Sequence, residues 1–367
     1  MAATNFAALM PQQKVVWSRD VWQAARDQMF IKRFLGSGEN AVIQRITELT
    51  KTEKGEQVLM QLVADLVEDG GVGDNEREGN EEEMKSYAQV LNIDLINHGV
   101  RNKGKLADQK TVVNFREMGK SRLSYWLANR VDQLAFLTMS GISYAFMNNG
   151  APRVGSSFPN LSFAADVTAP SAKRALMWDG TALATSNTGS ITSAYVVSYK
   201  MIVDLIAYAK ENYVKPLMSE GKEYYVMFVQ PGTLAQLKKD PDYQRAVVGV
   251  ATKSGLDSPW FTGATITVDG AVIHEHRLVY NTKGAASGSK WGAAGAVNGT
   301  RTLLCGAQAL GMADIGVPEW DEKSFQYNSQ QGINVDKMFG LLKPKFYSIY
   351  AKSVEDFGIV TVDHYLQ

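Results

Sequence analysis

EDGGVGDNEREGNEEEMKSY, residues 68–87, is punctuated by glycine, packed with acids and nearly free of apolar side chains. Period-2 patterns flank it. In EQVLMQLVADLV (56–67), Val58, Met60, Leu62, Ala64 and Leu66 share one face by alternation, as a half-buried strand requires. In YAQVLNIDLIN (87–97), Tyr87, Leu91, Ile93 and Leu95 do the same. Together these predict a long antiparallel hairpin with the acidic stretch as its tip. A connection of about 20 residues far exceeds the 2–5 usual in hairpins, and loops that long tend to be functional.

Working outward, residues 1–16 read as a loose arm. WSRDVWQAARDQMFIKRFL (17–35) reads as an amphipathic helix, with Trp17, Val21, Ala24 and Ala25 at helical spacing, stopped by GSG at 36–38. AVIQRITEL (41–49) reads as a strand. Residues 108–140 contain no Pro and one Gly, and Leu123, Trp126, Leu127, Val131, Leu134 and Leu137 form a stripe. As one helix this segment would span roughly 50 Å, a strut across the molecule with a partly polar surface.

Residues 141–194, rich in Gly, Ser, Thr, Asn, Ala and Pro, predict extended loop and short strands. A second α/β unit follows. SAYVVSYKMIVDLIAYAKENYV (193–214) predicts a helix, EYYVMFVQ (223–230) a buried strand, and PGTLAQLKKD (231–240) a short helix entered through Pro231. Asp269–Gly270 between alternating runs in 266–280 is a hairpin signal. GAASGSKWGAAG (284–295) reads as a flexible loop, RTLLCGAQAL (301–310) as buried, and the tail 345–367 as two more strands.

Composition narrows the function. The chain has 367 residues, 45% of them hydrophobic, enough for a sizeable core. Lys plus Arg equal Asp plus Glu at 38 each, so the basic excess of a tight nucleic-acid binder is missing. Cys305 is the sole cysteine, which excludes an internal disulfide and points to a reducing compartment. The N-terminus carries no secretory pattern, and no stretch approaches 18 consecutive apolar residues, so no membrane partner is expected. These features describe a soluble, cytoplasmically made, mixed α/β protein.

Catalytic and metal motifs are found only in the wrong context. GSGENA (36–41) has the letters of a dinucleotide fingerprint, but helix precedes it and strand follows, the reverse of what places phosphate on a helix N-terminus. In GAASGSKW, Trp291 stands where a phosphate loop needs Ser or Thr. His274 and His276 share a strand face that suits a metal, yet only His98 and His364 accompany them, and polar groups on a wet face are the ordinary account. DNEREGNEEE offers many oxygens but lacks the flanking helices of a calcium loop. Cys305, in an apolar run, reads as a small core residue. No catalytic, cofactor or metal residue is assigned, and the protein is read as no enzyme.

The charges are segregated. Residues 65–83 hold nine acids, among them Glu76, Glu78, Glu81, Glu82 and Glu83, against Arg77 alone. Residues 101–122 hold seven bases (Arg101, Lys103, Lys105, Lys110, Arg116, Lys120 and Arg122) against Asp108 and Glu117. In a chain of zero net charge this pattern suits complementarity between copies, the hairpin of one lying across the helix of the next. One contact repeated head-to-tail yields rings or closed shells.

VVWSRDVWQAARDQMFIKRFLGSGENAVIQRITELTKTEKGEQV (15–58), GDNEREGNEEEMKSYAQVLNIDLINHGVRNKG (73–104), WLANRVDQLAFLTMSG (126–141) and RTLLCGAQALG (301–311) resemble the major capsid proteins of tailed bacteriophages, most closely the N-four podophage type. The resemblance spans most of the chain, loosest over 141–194 and 284–300. It implies an α+β, Hong Kong 97-type capsid fold: N-terminal arm and helix over 1–40, extended hairpin loop over 41–100, and peripheral domain with spine helix over 101–194. An axial domain over 195–339 and return strands of the peripheral domain over 340–367 complete it.

The implied function is a structural subunit that assembles as hexamers and pentamers into an icosahedral shell packaging double-stranded DNA. Implied partners are a separate scaffolding protein, a portal protein, a decoration protein and weak, non-specific contact with the DNA. The implied place is the virion, after assembly in the bacterial cytoplasm as a procapsid that matures. Some capsids of this fold are welded by Lys–Asn bonds from the extended loop. Residues 65–83 contain no Lys, so no covalent linkage is expected. Relatives with a fused scaffolding segment carry many residues ahead of the arm; only a short arm precedes Trp17, so scaffolding is expected to be separate. The alternative is an encapsulin-like nanocompartment shell; an α/β enzyme lacks a motif in a competent context.

Overall fold

The computed structural model describes residues 24–25, 28–47, 55, 57–63, 86–105, 115–219, 221–251, 266–348 and 351–367. In chain order the first strands are β1 (Leu35–Gly36), β2 (Ile43–Ile46), β3 (Gln57–Val63), β4 (Ser86–Asn92) and β5 (Asp94–Arg101), followed by helix α1 (Phe115–Ser140). Then come β6 (Ala175–Trp178), β7 (Leu183–Thr185), α2 (Tyr199–Glu211), β8 (Leu217–Ser219), β9 (Lys222–Val229), α3 (Pro231–Leu237) and α4 (Pro241–Ala251). The chain closes with β10 (Ile266–Val268), β11 (Ala271–Glu275), β12 (Gly299–Cys305), β13 (Leu310–Phe325), β14 (Gln330–Leu342), β15 (Lys345–Ser348), β16 (Ser353–Asp356) and β17 (Ile359–Tyr365).

Two sheets carry the architecture. One is five-stranded in the order β1-β2-β13-β14-β5. The other is eight-stranded in the order β10-β11-β9-β12-β17-β6-β7, with β8 paired to β9. Every residue of β12 is buried, because its two faces pack on different layers. Leu303 and Cys305 join the core of α1, while Leu304 joins Met201, Ile202, Leu205 and Leu234 on the α2–α3 side. Two-sided burial is what a continuous apolar run in a central strand encodes. Helix α1 lies between the sheets: Leu123, Leu127, Val131 and Leu134 share one core with Ile333, Val335 and Phe339 of β14 and with Phe228 of β9.

Several expectations change. Helix α1 keeps the expected partly polar surface only in its first half, where Glu117, Ser121, Arg122 and Tyr125 are exposed; from Val131 to Ser140 every residue except Gln133 is buried, and residues 108–114 of the expected helix lie outside the described residues. Two of its buried hydroxyls are satisfied within the helix. Thr138 Oγ1 donates to the Leu134 carbonyl at 2.8 Å, and Ser124 Oγ to the Lys120 carbonyl at 2.8 Å. The helix expected over 17–35 stops short of Leu35: residues 24, 25 and 28 are helical, Ile31–Phe34 is a 3-10 turn, and Leu35 opens β1. Asp132 of α1 explains the break, accepting hydrogen bonds from the Phe30 and Ile31 amides at 2.9 and 3.3 Å. Burial lifts this carboxyl to about 6, against the pull of those two donors.

The hairpin exists, with β3 and β4 in register from Gln57↔Asn92 to Val63↔Ser86. Val58, Met60 and Leu62 face the core as the alternation predicts. The face expected to include Leu95 does not continue, however. Strand pairing breaks at Ile93, where the chain leaves β3 for β14; Ile96 is buried and Leu95 exposed. Residues 193–198 precede α2 rather than joining it, and the tail forms three strands, not two. Segment 284–295 is tethered: Trp291 is buried against Gly299 and bridged to Val297, and the Gly288 amide donates to the Gly295 carbonyl at 3.0 Å. The Asp269–Gly270 turn forms as expected, with φ of 47° and 85°.

His274 and His276 are half-buried in an aromatic cluster rather than set on a wet face. His276 stacks on Phe30 (centroids 4.2 Å apart) and on Phe136 (5.2 Å), which also stack on each other at 6.0 Å, and His274 meets the edge of Phe34 at 4.9 Å. Among the described residues no group of His, Cys, Asp or Glu is arranged to hold a metal. Burial, helped by Arg277, pushes His276 down to about 4. Its neutral form is therefore favoured by folding, and the stability it contributes is complete above pH ~6.5 and lost as pH falls toward 4. His276→Phe keeps the stack and removes the proton site. The unfolding free energy of the unassembled subunit, from urea titrations, will fall less between pH 6.5 and 4 for the variant, by roughly 1–2 kcal/mol after solvent screening. Parallel curves would contradict this.

Candidate subunit interface

The acids Glu76, Glu78, Glu81, Glu82 and Glu83 lie outside the described residues; the strands that carry them end at Val63 and Ser86. Those strands are seated on their own subunit. Val58, Met60, Leu62 and Leu91 form a small core with Ile46, Ala313, Leu342 and Phe357. The Gln89 side chain brackets the start of β15, accepting from the Lys345 amide at 3.0 Å and donating to its carbonyl at 2.6 Å. Asn92 Nδ2 donates to both oxygens of Asp166, at 3.2 and 3.1 Å.

The bases gather at the far end of the five-stranded sheet. There β13 turns into β14 through Gln326, Tyr327 and Asn328, all with positive φ, leaving Tyr327 fully exposed. The end of β5 is clamped onto this turn: the Asn102 amide donates to the Gln331 carbonyl at 2.9 Å, and Gln330 Nε2 to the Lys103 carbonyl at 3.0 Å. The Arg101 guanidinium lies over the Phe325 ring at 4.2 Å and bonds to Gln330 Oε1. Arg116, in the first turn of α1, holds Glu322 at 2.7 Å. Lys120 is half-buried, whereas Lys103, Lys105 and Arg122 are exposed and, among the described residues, hold no ion pair. Arg101 and Arg116 thus brace their own hairpin, and three bases remain directed to solvent.

Outward apolar pairs escape a reading based on core faces. Leu59↔Val90 on the hairpin, Leu95↔Met338 on β5–β14 and Tyr347↔Val354 on β15–β16 are cross-strand partners, and all six side chains are exposed. For Leu59, Val90 and Met338 the signal is an apolar residue out of phase with the buried ones of its strand, a pattern that marks a surface meant to be covered, whereas local alternation places Leu95 in phase with Leu91 and Ile93. Cys305, by contrast, is a core residue as expected, its thiol pushed up by burial.

A seated hairpin, a helix spanning the two sheets and outward apolar pairs are the features this chain brings to a comparison with known proteins. A family model described as phage capsid protein matches residues 5–367. The chain is 50% identical over 364 residues to the major capsid protein of Pseudomonas phage KPP25, covering 98% of this chain and 96% of that one. Among solved structures, the capsid of Ralstonia phage GP4 superposes with a TM-score of 0.76 at 26% identity over 92% of this chain and 91% of its own. The capsid asymmetric unit of cyanophage Pam1 does so with 0.70 at 17% identity over 100% and 96%, a likeness of fold. With its strands, helix and sheets matched end to end, the chain belongs to the phage capsid protein family.

Proposed function

We propose that copies of this chain close an icosahedral phage shell as hexamers and pentamers around double-stranded DNA, in the Hong Kong 97-type arrangement. The observation that carries this reading is the hairpin. Its base is locked to its own subunit, its strands lead into a run of nine acids over residues 65–83, and of the basic group Arg101 and Arg116 are engaged on β13–β14. A neighbouring subunit's Lys103, Lys105 and Arg122 fit that run by charge, and the outward apolar pairs supply area beside it. The phage relative at 50% identity favours a genome over the protein cargo of a nanocompartment.

In this reading the peripheral domain comprises β1, β2, β5, α1, β13 and β14, and the axial domain β6–β12, α2–α4 and β17. That division follows the sheets, which unite residues the sequence boundaries at 195 and 340 separate. Scaffolding, portal and decoration proteins would act on the assembled lattice, in the host cytoplasm and then the virion. Replacing Glu81, Glu82 and Glu83 together by Lys tests the charge pairing. Shell yield by sedimentation is expected to fall at least tenfold; unchanged yield would refute the pairing.

A further inference from the structure

Arg130 and Arg153 converge on one neutral oxygen. Arg130 Nη1 donates to Gln133 Oε1 at 2.7 Å, and Arg153 Nη2 to the same atom at 3.1 Å. Arg153 is held from behind: its Nε donates to the Phe146 carbonyl at 3.0 Å and its guanidinium lies 5.3 Å from the Phe158 ring centroid. Both side chains are half-buried, and among the described residues neither holds a carboxylate. Other guanidiniums of this chain do: Arg45 holds Asp314, Arg116 holds Glu322, and Arg301 holds Asp363. Burial lowers both groups, and the charge of Arg130 helps push Arg153 down to about 10. Two like charges sharing one neutral acceptor form a site built for an anion, and planar guanidinium forks match a carboxylate bidentately.

We propose that the Arg130–Arg153 pair is a carboxylate-binding site filled by a second copy of this chain at a subunit contact. The rim argues for protein over nucleic acid. The loop that carries Arg153 also exposes Phe146, Met147 and, at 91%, Val154. An apolar rim around desolvated charge is how protein interfaces are made, whereas a phosphate backbone keeps its water. A second copy has carboxylates to offer, since the chain balances 38 bases with 38 acids and concentrates nine of them in residues 65–83.

This inference rests on the shell reading, and its test separates the two. Full-length chain, with its scaffolding partner and without nucleic acid, is titrated and assembly followed by light scattering and sedimentation. Wild type is expected to assemble; its failure would count against the shell reading itself. Arg130→Gln with Arg153→Gln should leave the melting of the unassembled subunit within a few degrees and raise the concentration for half-assembly tenfold or more. Assembly of that double variant at the wild-type concentration overturns the proposal. So does assembly of the double variant that matches wild type when double-stranded DNA is withheld and differs from it only when the DNA is added, which would assign the pair to phosphate. Should the Gln variant fail to fold, Arg130→Lys with Arg153→Lys decides. That variant keeps both charges but not the forks, and is expected to need about threefold more protein; wild-type behaviour overturns the site.

Discussion

Arg301→Ala will destabilise the unassembled subunit by about 3–5 kcal/mol, read from urea midpoints. Arg301 of β12 and Asp363 of β17 are direct cross-strand partners in the middle of the eight-stranded sheet. The pair is bidentate, with Nε to Oδ1 at 2.7 Å and Nη2 to Oδ2 at 2.9 Å, and Ser186 Oγ donates to Oδ2 at 2.6 Å. The third arm of the guanidinium, Nη1, donates to the carbonyl of Ser140, the last residue of α1, at 2.8 Å. One side chain therefore ties the end of the spanning helix to the central strands of the other layer. Truncating it leaves Asp363, which has no exposed surface, as a buried charge without its counter-ion. Most of the loss comes from that stranded carboxylate, so Asp363→Asn added to Arg301→Ala should recover a large part. A loss below about 1 kcal/mol for Arg301→Ala would show that the pair does not hold the layers together.

Gly340→Ala will cost about 1–3 kcal/mol and abolish normal shells. The hairpin crosses the end of β14 so closely that a Cβ at Gly340 would stand 2.2 Å from the Asn92 carbonyl oxygen and 2.4 Å from Leu91 Cδ2. Beside it, a Cβ at Gly311 would stand 2.6 Å from Met60 Sδ, so the hairpin is seated on glycine at two points. Backbone, not a flexible tip, is what an added methyl meets at Gly340, so β4 must move as a unit. Its direction away from the subunit changes with it, and a contact repeated around a closed shell multiplies the error. Electron micrographs of the variant should show aberrant or absent particles while far-ultraviolet dichroism stays near wild type. Regular shells would show that the hairpin's direction is set elsewhere.

Much of this fold is legible wherever a residue's neighbours in sequence determine its surroundings. Tyr225–Val229 of β9 and the whole run 301–310 are buried because their surroundings are covered on both sides, and the Asp269–Gly270 turn forms because those residues accept positive φ. What escaped was settled by partners distant in the chain. The burial of Asp132 in helix α1 makes sense only once it is seen to take the amides of Phe30 and Ile31, far back in the chain. The phase change at Ile93 follows from β5 pairing with β14, far along the chain, which no local alternation reports. Of the candidate interface, the charge segregation was plain in composition. That Arg116 is consumed by Glu322 and that Arg130 meets Arg153 are facts of tertiary placement, and no motif encodes them.

The central claim is that this chain builds a closed shell, and electron microscopy of the purified protein, with and without the proposed scaffolding partner, tests it most directly. Hollow icosahedral particles, or rings of five and six subunits on the way to them, are the predicted result. A uniform population of monomers or dimers under every condition would contradict it.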